Sequence, residues 1–497
     1  MKRFLALILS ILMLVSIISC GAGGTNGSAG STLDSTGGSN TTDSGGDSSK
    51  PEQEIGEDRI KYTPRFNSNK TKIFFGSQTV TPPMFTNYYH GYQTAVSMTF
   101  DDGYDTNTGV VVSEIFAKYG FRGTEMITAN NMNSQERIDE WNRIFELGYL
   151  DLGAHGYRHI NPPDITDPDV LEEETKTAVE FLRENFPSQK VLTFATPYAH
   201  ITDEYEDALR ELVIGDRLQS DGMDVILGKE FNPYRVRAHS VDKGHGTATA
   251  SRLIDSAVKD GTWIVELYHC VLDKASNSTD IDRGSFEAHC EELFKKYHDK
   301  IWFGSFQDVL VYSKQLEATT YEYTACDKGS MTFKVNCPLD KEIYNIPMTM
   351  KVFVPGTIDS AYALVNGEYQ PLTIETDFSG LGKYVTVYDI PVDNSEVKIV
   401  LGGNRLCNNG CKHSYITVES VEATHDEFGY NKYSCTTCEN EYYGKYTAKV
   451  HEYTGKREVI VANSVAIKGY DRVQCAYCDH TIIEETVFQI PGFDAEQ

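Results

Sequence analysis

Two groups of side chains have the types and spacing of a reaction centre. The first is Asp101-Asp102-Gly103, which follows the mostly apolar run Thr94–Phe100. Carboxylates adjacent on a strand point in different directions, so one can hold a metal while the other faces the water beside it. Gly103 permits a sharp turn and a close approach of the backbone to a ligand. The second group is His155-x-x-x-His159, which follows the run Leu150–Gly153. Histidines four residues apart share one face of a helical turn and so converge on one ion. One carboxylate and two imidazoles leave coordination positions open, the mark of a catalytic rather than a structural centre. Taken singly, Asp-Asp-Gly reads as a plain turn and the histidines as solvated loop residues. Behind two neighbouring strands, they read as one site.

The surrounding elements place both groups together. Strands are predicted at Thr94–Phe100, Gly123–Ile127, Tyr149–Gly153, Val191–Ala195, Leu212–Arg217, Arg235–Ser240 and Trp263–Tyr268, with amphipathic helices between most of them. A short strand Lys300–Phe303 and a helix Ser305–Leu316 complete the pattern. This alternation predicts an α/β fold, a parallel sheet closed as a distorted (β/α) barrel. Both groups then lie at the carboxyl ends of strands, the face on which such barrels carry their chemistry. Two further segments reach the same face, Phe194-Ala195-Thr196-Pro197-Tyr198 and Glu266-Leu267-Tyr268-His269.

Thr99-Phe100-Asp101-Asp102-Gly103 followed by His155-x-x-x-His159 resembles the polysaccharide deacetylases, the NodB-homology domain of carbohydrate esterase family four. The resemblance covers about residues 90–315. It implies a hydrolase of carbon–nitrogen bonds other than peptide bonds, removing N-acetyl groups from a cell-wall or environmental polysaccharide. O-deacetylation of a xylan-type polymer and an inactive, glycan-binding adhesin are the alternatives. The implied roles are Asp101 as general base, and Asp102, His155 and His159 as ligands of a divalent metal, most often zinc. Pro197 and Tyr198 would line the groove and supply an oxyanion N–H, Leu267 an acetyl pocket, and His269 the proton for the departing amine. Read without the resemblance, His269 is a strand-end histidine and Leu267 is core. A non-haem iron oxygenase would use a similar donor set, but the His-x-Asp spacing is missing.

Two departures from the family pattern bear on the base. Ala195 stands where the family has an arginine, and no tryptophan occurs between 216 and 224, the three indoles being Trp141, Trp263 and Trp302. A carboxylate base is held by the paired N–H donors of a guanidinium. The strand Arg235-Val236-Arg237-Ala238-His239 is the expected source, with Arg237, nearer the carboxyl end, preferred over Arg235 and Arg217.

The whole chain sets the context. Its 497 residues exceed one hydrophobic core and predict several domains. Residues 1–20 read as a signal peptide, with Lys2-Arg3, an apolar run Phe4–Ile18, and Ile17-Ile18-Ser19-Cys20-Gly21, which resembles a bacterial lipobox. The implication is a diacylated Cys20 anchoring the protein to the extracellular face of the bacterial membrane. Residues 21–60, rich in Gly, Ser and Thr, read as a flexible linker. The deacetylase-like domain is expected at 61–318 and a small all-β, sandwich-like module at 319–403, where Cys326 and Cys337 are available to pair. Residues 404–497 hold two Cys-x-x-Cys repeat units. Cys411, His413, Cys435 and Cys438 in the first, and His451, Cys475 and Cys478 with His480 in the second, read as structural zinc ligands or as disulfide partners. With 72 acidic against 45 basic residues, the net charge of −27 argues against nucleic acid as a partner.

Overall fold

The computed structural model describes residues 73–75, 78–219, 231–243, 246–326, 330–356, 358–377, 380–403, 414–425, 429–437, 441–447, 450–462, 469–478 and 480–486. The signal peptide, the linker, Cys20, Cys411, His413 and Cys438 lie outside them.

Seven parallel strands form the expected barrel: β1 (Thr94–Asp102), β2 (Gly123–Ile127), β3 (Leu150–Ala154), β4 (Thr193–Ala195), β5 (Gly215–Gln219), β6 (Val236–Ser240) and β7 (Ile264–Tyr268). Each pairs with the next, and β7 returns to β1 in the register Ile264↔Val96 to Tyr268↔Phe100, which closes the ring. Two strands share the other edge of β1. The short strand β8 (Ile301–Phe303) pairs with Thr94–Val96, and β2 pairs with Met98–Asp102. The strand therefore runs two residues past its apolar stretch, because β2 supplies ladder partners for both carboxylates. Three strands fix the element that carries them.

Alternation sorts the side chains of β1. Val96, Met98 and Phe100 are buried against the outer helices, with the Phe100 ring 6.1 Å from Phe116 and 5.8 Å from Phe286. Ala95, Ser97, Thr99 and Asp101 face the barrel interior. The helix Thr106–Tyr119 starts just past Gly103, where Asp105 accepts from the Asn107 N–H at 2.9 Å, and ends at Gly120 in a left-handed conformation (φ 71°). A side chain at Gly109 would stand 2.5 Å from the Trp141 ring, so this glycine lets the first helix press against the second, Gln135–Glu146.

The all-β region is a sandwich. Five strands, ordered Thr320–Cys326, Ser330–Asn336, Asp393–Gly403, Ile358–Val365 and Glu368–Leu372, form one sheet. The other sheet contains Glu375–Asp377, Gly382–Ile390, Met348–Val354 and Met84–Phe85, the last from ahead of the barrel. Phe333, Val335, Val397 and Ile399 of the first sheet and Met350, Val352, Val385 and Val387 of the second are buried at alternate positions. The helix Phe306–Ala318 joins barrel to sandwich, since Gln315 bonds both backbone groups of Ile346, at 2.5 and 3.0 Å. Cys337 is a buried free thiol, so the expected Cys326–Cys337 bridge is not made. The hairpin register explains why. Cys326 pairs with Met331 while Asn336, next to Cys337, pairs with Thr320. The two cysteines thus sit at opposite ends of the hairpin, about 20 Å apart at the usual rise per strand residue.

Each tail repeat is a three-stranded antiparallel sheet. The first contains Tyr415–Val421, Gly429–Cys435 and Glu441–Thr447, the second Arg457–Val461, Gly469–Gln474 and Thr481–Thr486. The second sheet packs on the barrel. Arg472 donates to the carbonyls of Ala117 (3.2 Å) and Lys118 (3.0 Å) at the end of the first helix, and Tyr470 meets Phe294 edge to face at 5.8 Å.

Candidate active site

Asp102, His155 and His159 converge at the carboxyl ends of β1 and β3, with one donor atom of each within 4.8 Å of the others. Nε2 of His155 and Nε2 of His159 are 3.1 Å apart, and each lies 3.8 Å from Asp102 Oδ1. Imidazole nitrogens bound to one tetrahedral zinc stand about 3.3 Å apart, so the spacing fits one ion. Nδ1 of His155 is 2.6 Å from the carbonyl oxygen of Ala195, an acceptor, so Nδ1 carries the proton and Nε2 presents its lone pair. Burial holds the His155 imidazole below its ordinary pKa against the pull of Asp101, which favours the neutral ring a ligand needs. The donor set therefore fits a divalent metal.

The spacing predicts that the two histidines share a helical turn, and they do not. They sit in a loop with Gly156 at φ 75° and His159 at φ 63°. The buried carboxylate of Glu174 holds this loop, accepting from the N–H groups of Arg158 (2.8 Å) and Ile160 (3.2 Å). Glu174 lies in a π-helical turn, Glu173–Thr177, which interrupts the predicted helix. A side chain at Gly156 would stand 2.8 Å from Glu174 Oε2, so the loop closes tightly on the carboxylate. Asp102, His159, Tyr198 and Ala199 all have positive φ at the barrel mouth. Such strained backbone clusters at sites that bind or react.

Asp101 is 5% exposed and bonded to Arg217, itself 1% exposed. Its Oδ2 is 3.7 Å from His155 Nε2. Burial pushes the Asp101 carboxyl up, but Arg217, His155 and His269 more than reverse this and hold it below the usual carboxylate range. The expected partner, Arg237, gives way to Arg217. In the ladder Arg217 pairs with Val236 and Leu218 with Arg237. Paired residues share a face, so Arg217 points inward with Val236 and Ala238, whereas Arg237 points away from Asp101. Face, not height along the strand, decides which arginine arrives. Arg235 lies just before β6 and bonds Glu206 and Asp203 at the surface. Ala195, moreover, is the register partner of Arg217. The guanidinium missing from β4 is supplied at the same level by the adjacent strand.

The remaining predicted residues are placed as follows. His269 directly follows β7, with its Nδ1 buried and lacking a hydrogen-bond partner among the described residues. Leu267 is 1% exposed and faces inward beside Thr99, its register partner. Pro197 is buried, and Tyr198 is exposed with its ring 4.7 Å from that of His159. Glu174 and Glu125 are missed by sequence reasoning, which also ranks Arg217 below Arg237. Burial and the charges of Asp101 and Asp102 push the Glu125 carboxyl well above its ordinary value. The one sequence signal for these three is a charged residue inside an otherwise apolar strand or stripe.

The fold and the cradle together define a (β/α) barrel with three converging carboxylate and imidazole donors and an arginine-held acid beside them. Residues 90–214 match the family model described as polysaccharide deacetylase. The matched stretch contains Asp101, Asp102, His155, His159 and Tyr198 and ends before Arg217, Leu267 and His269. The chain is also 24% identical over 326 residues to a gellan lyase of a Bacillus species, covering 62% of this chain but 13% of that relative's length. Among solved structures, the peptidoglycan deacetylase PdaC of Bacillus subtilis is 20% identical, with a TM-score of 0.31 over 46% of this chain and 94% of that one. The Xyl-CE4 domain of a multidomain xylanase from the hindgut metagenome of Trinervitermes trinervoides is 17% identical, with a TM-score of 0.32 over 44% and 90%.

Proposed function

We propose that the barrel hydrolyses N-acetyl groups of a polysaccharide with the help of a divalent metal. The observation that carries this reading is the ion pair of Asp101 with Arg217 immediately beside the three converging donors of Asp102, His155 and His159. Bound by those three residues, a divalent ion, zinc by its donor set, supplies Lewis-acid activation. Asp101, kept ionised by Arg217, accepts a proton from the attacking water. The water oxygen adds to the acetyl carbonyl carbon, and backbone N–H near Tyr198 donates to the oxyanion. His269 protonates the nitrogen as the carbon–nitrogen bond breaks, leaving acetate and a free sugar amine. Leu267 offers an apolar wall to the acetyl methyl. Nearby, the Tyr198 ring forms a surface on which a sugar face can stack.

Acetate release from chitooligosaccharide, peptidoglycan and acetyl-xylan, with metal content measured on the same samples, tests this reading. The expected outcome is release from an N-acetylated polymer, lost in Asp101→Asn with metal retained, and lost in His155→Ala together with the metal. Release from acetyl-xylan alone would make the protein an O-acetyl esterase. No release by fully metallated protein would support the adhesin reading, which Ala195 motivates and Arg217 opposes. We also propose, from the lipobox-like Ile-Ile-Ser-Cys, that Cys20 anchors the domain outside the cell. Mass spectrometry of membrane fractions should find a lipidated Cys20 terminus, and an unmodified protein in the medium would refute it.

A further inference from the structure

Away from the barrel mouth, a second group of ligand-type side chains converges among the described residues. His425 follows the first strand of the first tail repeat. His451 precedes the second repeat, and Cys475 and Cys478 follow that repeat's middle strand, Gly469–Gln474. One donor atom from each of the four lies within 4.8 Å of every other. Vertices of a tetrahedral zinc site with two sulfur and two nitrogen donors stand about 3.3–3.8 Å apart, so small side-chain rotations complete the set. We propose that His425, His451, Cys475 and Cys478 bind one structural zinc ion that ties the two tail repeats together.

The local geometry is built for this. The Tyr477 N–H points at Cys475 Sγ (3.5 Å), and Nδ1 of His451 is 3.6 Å from Cys478 Sγ. The Cys-x-x-Cys turn is held by Cys475 N–H to the His480 carbonyl and by Ala476 N–H to the Glu452 carbonyl, both 2.8 Å. The first repeat makes the same turn. There the Thr437 N–H points at Cys435 Sγ (3.4 Å) and the Thr436 N–H donates to the Ser414 carbonyl (2.8 Å). His425 is carried across from the first repeat by the hydrogen bond of Val450 N–H to the Thr424 carbonyl (3.0 Å), which brings its ring 5.4 Å from that of His451. The sequence alone offers His480 as fourth ligand, but its ring stacks on His451 at 4.4 Å and its Nδ1 meets the Tyr453 hydroxyl at 3.0 Å. His480 therefore positions His451 rather than binding metal. Cys475 and Cys478 are both free thiols. Four protein donors and no open position make a closed, structural site, distinct in kind from the open cradle in the barrel. An ion held by residues of both repeats adds its binding free energy to the folding of these small sheets.

The test counts metal in the full mature chain carrying His155→Ala and His159→Ala, so that the barrel does not contribute. His425→Ala and Cys475→Ser should each remove one equivalent of zinc, while His480→Ala should remove none. Cobalt-loaded protein should show a thiolate-to-cobalt charge-transfer band that Cys475→Ser diminishes. Zinc content unchanged in His425→Ala would overturn the assignment, as would loss in His480→Ala instead. Independently of any variant, alkylation of chelator-treated, unreduced protein should label Cys475 and Cys478. Failure to label them, with labelling restored by reductant, would establish a disulfide and end the proposal. None of these readouts depends on deacetylase activity.

Discussion

At the scale of single residues, the site turns on which arginine holds Asp101. Arg217 and Asp101 are both almost fully buried, so neither charge has water to fall back on. Removing one partner of a buried pair leaves the other uncompensated and costs about 3–5 kcal/mol. Arg217→Ala should therefore lower stability as well as kcat, and Arg217→Lys separates the two effects by keeping the charge without the planar fork. For Arg217→Lys we expect kcat to fall on the order of 10²-fold with metal content unchanged. Arg237→Ala should leave kcat little changed, since its side chain lies on the face of β6 turned away from Asp101. Equal losses in both variants would remove Arg217 from its special place. Ala195 and Arg217 are register partners, which allows a sharper test. Ala195→Arg combined with Arg217→Ala should recover part of the kcat lost in Arg217→Ala alone, because the guanidinium then enters from the adjacent strand at the same level. No recovery would show that the direction of approach matters as much as the charge.

At the scale of elements, loops and helix ends carry the precision of the site. The π-helical turn around Glu174 places one buried carboxylate against two backbone N–H groups of the histidine loop. Glu174→Ala orphans both donors at about 1–3 kcal/mol each. Loosening the loop should also weaken metal binding about 10–100-fold, as loss of outer-shell support does elsewhere. Calorimetry and competition with a chelator would read the two effects, and unchanged metal affinity would mean that the loop holds itself. Arg472 of the tail acts at another element's end. It donates to the carbonyls of Ala117 and Lys118, where the dipole of the helix Thr106–Tyr119 presents negative charge. Arg472→Ala should cost about 1–3 kcal/mol and speed amide exchange in residues 469–486. If exchange there does not change, Tyr470 and its apolar neighbours suffice to dock the tail.

At the scale of the whole molecule, the barrel carries a buried acid far from the chemistry. Asp151, near the start of β3, is 3% exposed, and burial together with the charge of Asp308 pushes its carboxyl up to about 7. The folded protein keeps this proton until about pH 7, whereas the unfolded chain releases it near pH 4. Folding thus binds a proton across that window, and this group's stabilising contribution falls as pH rises from about 4 to about 7, then stays level. Asp151→Asn removes the titration. Above pH 7 it should be more stable than the parent by about 1–4 kcal/mol, and the difference should shrink steadily as pH falls toward 4. Chemical denaturation across that range gives the difference directly, and a difference independent of pH would refute the shifted carboxyl.

Local pattern was enough for the barrel, because apolar period and turn residues are written along the chain itself. The strands Gly123–Ile127 and Arg235–Ser240 were legible to within a residue, and so were the acid pair, both histidines and the Cys-x-x-Cys repeat. Motif spacing also brought Asp102, His155 and His159 to one place, since strand order puts all three at one end of the sheet. Tertiary structure alone decided the rest. Arg217 prevailed over Arg237 because the sense of alternation relative to a closed barrel is not encoded in either strand by itself. Glu174 entered the site across a fold of the chain, from a helix whose sequence reads as an ordinary amphipathic stripe. Cys326 and Cys337 stay apart because hairpin register, not proximity in sequence, sets their distance. His425 joins His451, Cys475 and Cys478 only because a backbone hydrogen bond carries one repeat against the other. Side chains meet according to pairing, facing and docking, and those depend on contacts between residues that lie far apart in the chain.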